Sequence, residues 1–137
     1  MKTTPRPARA LAVMAIAAVG LAISACTPAQ KAAFVQHASA VHQAGVSQPG
    51  APSDEALARL RQCESHGNYG AVSRSGTYRG AYQFSRGTWD STARRFLPAY
   101  VGHDPATAMP FVQDAMARAL WSTTGWTSWP VCGRRAL

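Results

Sequence analysis

The sequence predicts a mainly helical (α+β) domain with one short β-hairpin and one disulfide, and three observations carry that reading. Apolar residues recur at three- and four-residue steps in segments that open on a capping residue. Between the first two such segments lies a glycine-punctuated stretch of β-branched and aromatic residues, too irregular for another helix. Two cysteines, Cys63 and Cys132, stand near the ends of this whole region.

Ser53 opens the first helix as its cap, and Asp54 and Glu55 suit the positive end that follows. Leu57, Leu60 and Cys63 fall at three-residue steps and mark a buried face; Glu64 then occupies the last turn before Gly67 breaks the helix. From Gly70 to Phe84, glycines at 70, 76 and 80 predict a small hairpin or extended loop. Ser85 caps a second helix through about Phe96, with Trp89 and Phe96 inward and Pro98 as the stop. Asp104-Pro105-Ala106 predicts a turn opening a third helical stretch, and Pro110 suits the first turn of a further helix. In that last helix Phe111, Val112, Ala115, Met116, Ala119 and Leu120 trace the buried face. No internal repeat is visible.

Residues 1–25 read as a secretory signal. Lys2, Arg6 and Arg9 precede an uninterrupted apolar run from Ala10 to Ile23, which is short for a bilayer span. The exit, Leu21-Ala22-Ile23-Ser24-Ala25-Cys26, resembles a bacterial lipobox, which implies lipidation of Cys26; ordinary cleavage after Ala25 would instead leave Cys26 a free thiol. Residues 26–52 follow as a tether rich in Ala, Gln, Ser, Pro and Gly. A flexible chain of that length spans about 28 Å, and a helical turn or two around Lys31 to Val41 is left open. His37 and His42 lie in this tether as solvated histidines rather than metal ligands.

Three cysteines are an awkward number for an exported chain. Lipid on Cys26 leaves Cys63 and Cys132 as a pair, and an oxidising compartment favours their disulfide. The formal net charge is +8, and it falls to +5 once Lys2, Arg6 and Arg9 leave with the signal. A basic chain suits an anionic envelope surface; the scattered arginines match no nucleic-acid motif.

Chemistry concentrates in three blocks. They are Cys63-Glu64-Ser65-His66-Gly67-Asn68-Tyr69, Gly80-Ala81-Tyr82-Gln83-Phe84-Ser85, and Gly125-Trp126-Thr127-Ser128-Trp129-Pro130-Val131-Cys132. They set one carboxylate among aromatic rings and amides, the ingredients of a small carbohydrate-cleaving site. In this order, from about Ser53 to Gly133, the blocks resemble the resuscitation-promoting factor family, whose domain is transglycosylase-like. The resemblance implies a lysozyme-like catalytic domain over residues 53–137 that acts on peptidoglycan.

Glycosidic cleavage needs a proton on the departing oxygen while positive charge builds at the anomeric carbon. A carboxyl group supplies it near neutral pH only when burial raises its pKa. Glu64 is the candidate, with Tyr69, Tyr82 and Phe84 close in sequence; its plainer reading is a solvated glutamate at a helix end. Asp54 and Glu55 suit a helix start, and Asp104 and Asp114 suit turn or helix surfaces. Asp90 is either a second carboxylate or a charge in an early helix turn. A single glutamate suffices for lytic transglycosylation as known in related lysozyme-like enzymes. The substrate's N-acetyl oxygen steadies the cation, and the muramic 6-hydroxyl then attacks to give a 1,6-anhydro sugar.

By the same resemblance, Gln83, Thr88, Tyr78 and Tyr69 contact substrate. Asn68 either touches sugar or fixes a turn beside Tyr69, and Trp89 is either a substrate contact or core. Trp126 and Trp129 offer a sugar platform or packing around Cys132. The chain departs from the family where His66 replaces a common glycine, where Ala81 replaces a second glycine, and in a longer segment from Ser91 to Tyr100. The expected function is an exported, lipid-anchored muralytic enzyme, a lytic transglycosylase that cleaves between N-acetylmuramic acid and N-acetylglucosamine. The rivals are a lysozyme-type hydrolase and a non-catalytic wall-binding or signalling module. The expected partners are peptidoglycan glycan strands and the membrane through the Cys26 lipid. A monomer is expected, with no nucleic acid, cofactor or metal; a partner wall hydrolase is left open.

Overall fold

Helix α4 (Pro110–Thr124) is the element around which the others assemble in the computed structural model, which describes residues 27–137. The signal and the Cys26 lipidation site expected in residues 1–26 lie outside the described residues. In chain order come α1 (Pro28–Val46), α2 (Asp54–Ser65), β1 (Tyr78–Arg79), β2 (Phe84–Ser85), α3 (Arg86–Phe96), α4 and α5 (Cys132–Ala136). Helices α1, α2 and α3 pack on α4, and α5 packs on α2. The apolar rhythm of α4 predicts one buried face. Because neighbours cover it on several sides, Gln113, Ala117, Arg118 and Trp121 are buried as well. Among the described residues no helix is long and apolar enough to cross a membrane.

The caps follow the sequence. The Ser53 hydroxyl oxygen accepts the Ala56 amide at 3.2 Å, and Leu57 and Leu60 turn inward from the helix it starts. The Ser85 hydroxyl oxygen accepts the Thr88 amide at 3.1 Å and opens α3. Helix α2 ends on His66, whose φ of 55° and ψ of 32° are left-handed. Glycine takes that conformation without penalty, whereas a residue with a Cβ gives up roughly 1 kcal/mol. The glycine that the family resemblance leads one to expect here would meet no such penalty.

The hairpin is short and antiparallel, with Tyr78 opposite Ser85 and Arg79 opposite Phe84. Phe84 lies edge-on to Trp89 and Trp129, with ring centres 5.4 and 6.1 Å away, and this aromatic wedge fixes the hairpin over the core. Gly80, at φ 78°, lies against α4 so closely that a Cβ there would stand 2.5 Å from Gln113 Oε1. Cys63 and Cys132 form the expected disulfide and join the end of α2 to the start of α5. Across a sequence separation of 69 residues, such a closure stabilises the fold by about 4 kcal/mol in the chain-entropy account.

Two expectations are corrected. The stretch opened by Asp104 forms a turn, not a third helix: the Asp104 carbonyl accepts the Thr107 and Ala108 amides. Its carboxylate accepts the Ala106 amide at 3.0 Å and two hydrogen bonds from Arg79 at 2.6 Å each. A short acidic side chain that bonds nearby backbone competes with helix propagation.

The second correction concerns the tether. Residues 28–46 form a 19-residue helix docked on α4. Thr27 and Gln30 make a reciprocal capping box, and Pro28 occupies the first turn. Val41 and Gly45 are buried; a Cβ on Gly45 would lie 2.9 Å from Ala115 Cα, so the backbones meet closely there. Phe34 lies edge-on to Phe111 at 5.9 Å, and His37 Nε2 is 2.5 Å from the Tyr100 hydroxyl. The contact relies on a small residue and a few rings, so it leaves little apolar periodicity for a sequence reading to detect.

Helix α1 is therefore part of the folded unit. A chain beginning at Ser53 loses the burial of Val41 and bares Ala115 and Phe111. Thermal melts should show it less stable by about 2 kcal/mol or more, several degrees in Tm for a domain of this size. An unchanged Tm would mean that α1 rests on the domain without stabilising it.

Candidate active site

The last turn of α2, the hairpin and the segment before α5 enclose a cleft of about 350 Å³. Glu64 enters from α2, Tyr78 and Gln83 from the hairpin, and Ser128, Trp129, Pro130, Val131 and Cys132 from the opposite wall. The disulfide ties that wall, through Cys132, to Cys63, the residue next to Glu64.

Glu64 is half-buried, and its pKa is raised by loss of solvent. No cation contributes to that shift, so nothing holds the group ionised against the cost of burial. A carboxyl group in this state keeps its proton to a higher pH than an exposed one, as a proton donor requires.

Gln83 adopts a left-handed backbone at φ 49°, costly for a residue with a side chain. Its backbone amide donates to the Gly80 carbonyl at 3.2 Å, and its side-chain Nε2 donates to the same oxygen at 2.9 Å. That leaves the amide oxygen Oε1 to accept from a ligand. The Ser65 hydroxyl donates to the Ala81 carbonyl at 2.9 Å and so holds the end of α2 against this turn. Trp129 lines the cleft with an edge but is otherwise buried; its Nε1 donates to the Tyr82 carbonyl at 2.9 Å, and its ring stacks on Trp121. Trp126 is half-buried under the Arg134 guanidinium, 4.7 Å from the ring centre. Packing is the role the structure gives Trp129.

Residues 51–132 match the family model of the transglycosylase-like domain, more than half of the chain. The chain belongs to this family. It is also similar to "Probable transglycosylase SceD" of Staphylococcus aureus, in strains Newman, USA300 and MRSA252 among others. Each is 45% identical over 74 residues, which is 53% of this chain and 30% of the relative. The match thus spans under a third of these curated relatives. No solved structure matches significantly.

Within this transglycosylase-like domain, several expected substrate contacts stand elsewhere. Trp89 is fully buried, and its Nε1 donates to the Tyr100 carbonyl at 2.9 Å. It is a core residue with no surface for a sugar. Thr88 serves the α3 cap, with its hydroxyl 2.8 Å from that of Ser85, and it does not line the cleft. Asn68 closes a local turn by accepting the Gly70 amide at 2.9 Å. Tyr69 is half-buried and points its hydroxyl at Asp114, 2.8 Å away. Asp90 accepts the Gly102 amide at 2.7 Å and also lies outside the cleft lining, which contains one carboxylate, Glu64. His66 is exposed at the end of α2. Among the described residues no three His, Cys, Asp or Glu side chains converge as metal ligands would.

The sequence reading missed the layer beneath the cleft. Asp114, expected on a helix surface, accepts from Tyr69, Tyr82 and Arg61, and its neighbour Gln113 is wholly buried. The available signal was a Gln-Asp pair inside the apolar rhythm of Val112, Ala115 and Met116, where two polar residues interrupt a run of buried positions.

Burial of Glu64 carries a linkage consequence with a definite sign. The raised pKa makes the folded state bind this proton more tightly than the unfolded state. Stability from this group is therefore full at pH values below the ordinary carboxylate range and is lost as pH rises through the raised folded value. Glu64→Gln keeps the shape and removes the charge. Urea denaturation should find the variant close to wild type at pH 3.5 and at least as stable at pH 7. A variant clearly less stable at pH 7 would mean that the Glu64 carboxylate is stabilised by a partner.

Proposed function

We propose that the domain cleaves peptidoglycan glycan strands as a lytic transglycosylase, at the bond between N-acetylmuramic acid and N-acetylglucosamine. The observation that carries this reading is a single half-buried carboxyl group, with a raised pKa, in a cleft lined by amide and aromatic groups. Family membership and the SceD relatives support the reaction class.

In this scheme Glu64 gives its proton to the glycosidic oxygen, and the bond from that oxygen to the anomeric carbon of the muramic residue breaks. The substrate's own N-acetyl oxygen shares the developing positive charge. The Glu64 carboxylate then takes the proton of the muramic 6-hydroxyl, whose oxygen closes onto the anomeric carbon. One proton leaves Glu64 and one returns, so no water is consumed. Gln83, with its Oε1 unspent, suits an acceptor for the N-acetyl N–H or a sugar hydroxyl. Retaining and inverting hydrolases ordinarily use two carboxylates. Asp90, the expected second candidate, is committed to the Gly102 amide, which favours the one-carboxylate route. A wall substrate puts the working domain in the envelope or outside the cell.

Digestion of purified peptidoglycan by the protein, followed by mass spectrometry, tests the reading. The expected muropeptides end in 1,6-anhydromuramic acid, one water lighter than the hydrolytic products. Reducing muramic ends throughout would assign a lysozyme-type hydrolase, and no cleavage would leave a binding module.

A further inference from the structure

We propose that Asp114 is a positioning residue for the cleft. By gathering Tyr69 and Tyr82 on one carboxylate oxygen, it sets the placement of Gln83 relative to Glu64.

The geometry is convergent. Asp114 Oδ1 accepts the Tyr82 hydroxyl at 2.6 Å, the Tyr69 hydroxyl at 2.8 Å and Arg61 Nη1 at 3.2 Å. Arg61 also donates to the Tyr82 hydroxyl at 2.8 Å, and its guanidinium lies over both phenol rings. Burial, reinforced by the Asp114 charge, raises both phenols above the ordinary tyrosine value, so each remains a donor.

These donors come from two segments that adjoin the cleft residues Glu64 and Gln83. Tyr69 lies in the loop that follows α2, the helix whose last turn carries Glu64, and Tyr82 directly precedes Gln83. The Tyr82 carbonyl also accepts from Trp129, which lines the opposite wall. The Arg61–Asp114 pair alone would not explain this arrangement, since a partly exposed ion pair contributes 1 kcal/mol or less. Phenol-to-carboxylate bonds are short, directional and charge-assisted. They fix where two aromatic side chains end, and here those side chains belong to the loop that follows the acid's helix and to the turn that carries the amide. Gln83 needs such support, because its left-handed backbone would relax without a surrounding frame.

The consequence for sugar binding rests on the peptidoglycan reading, whereas the positioning itself does not. Two variants test it: Asp114→Asn, and Tyr82→Phe, which keeps the ring and removes only the hydroxyl. In the free full-length protein, NMR should show the Gln83 side-chain amide signals displaced in both variants while circular dichroism stays that of wild type. In a Glu64→Gln background, each change should weaken binding of a muramyl tetrasaccharide roughly tenfold, about what one charge-assisted hydrogen bond contributes. Unmoved Gln83 signals in folded Asp114→Asn and Tyr82→Phe overturn the proposal. Displaced Gln83 signals in a protein that binds no tetrasaccharide would support the positioning role and overturn the peptidoglycan reading instead.

Discussion

The amide of Gln113 is the interaction on which the arrangement of loops depends. It is wholly buried in α4 and satisfies three backbone groups from three separate segments. Its oxygen accepts the Ala81 amide at 2.8 Å; its nitrogen donates to the Tyr69 carbonyl at 3.1 Å and the Ala108 carbonyl at 2.8 Å. The loop after Glu64, the turn before Gln83 and the turn at Asp104 are thereby fixed to one helix. Loss of this amide would orphan several buried groups at roughly 1–3 kcal/mol each. Gly80 is required for the same reason, because no side chain fits between the turn and the amide.

Local rules are broken mainly around the cleft. Glu64 is half-buried without a cation to hold its charge, and His66 and Gln83 hold left-handed backbones that glycine ordinarily takes. Each departure costs stability, and the disulfide, the serine caps and the packing on α4 offset them. The combination is physically coherent: strain and desolvation collect around the candidate cleft, where departures from local rules are expected at a functional site.

What the sequence reveals follows from how locally each feature is encoded. Helices α2 and α3 are legible because a serine cap, an apolar rhythm and a breaker all lie within a dozen residues. Gly70, Gly76 and Gly80 announce the hairpin, and cysteine arithmetic finds Cys63–Cys132. Helix α1 is hidden because alanine and glutamine serve linkers and helices alike, and because its docking uses Gly45 against Ala115 rather than a stripe of large residues. Asp114 is misread for a related reason: its partners, Arg61, Tyr69 and Tyr82, are between 32 and 53 residues away along the chain, beyond any local pattern. Trp89 follows a family position into the core, where motif spacing cannot distinguish a wall from a foundation.

The central claim is that Glu64 delivers the proton in a cleft that the rest of the domain holds in shape. The most direct measurement is the turnover of peptidoglycan by wild type and Glu64→Gln at equal concentration, with the variant's fold verified by its melting curve. The account predicts a folded variant whose turnover falls at least 10²–10⁴-fold, the usual contribution of a general acid–base, and further if the group acts in both steps. Wild-type turnover by a folded Glu64→Gln protein would contradict it.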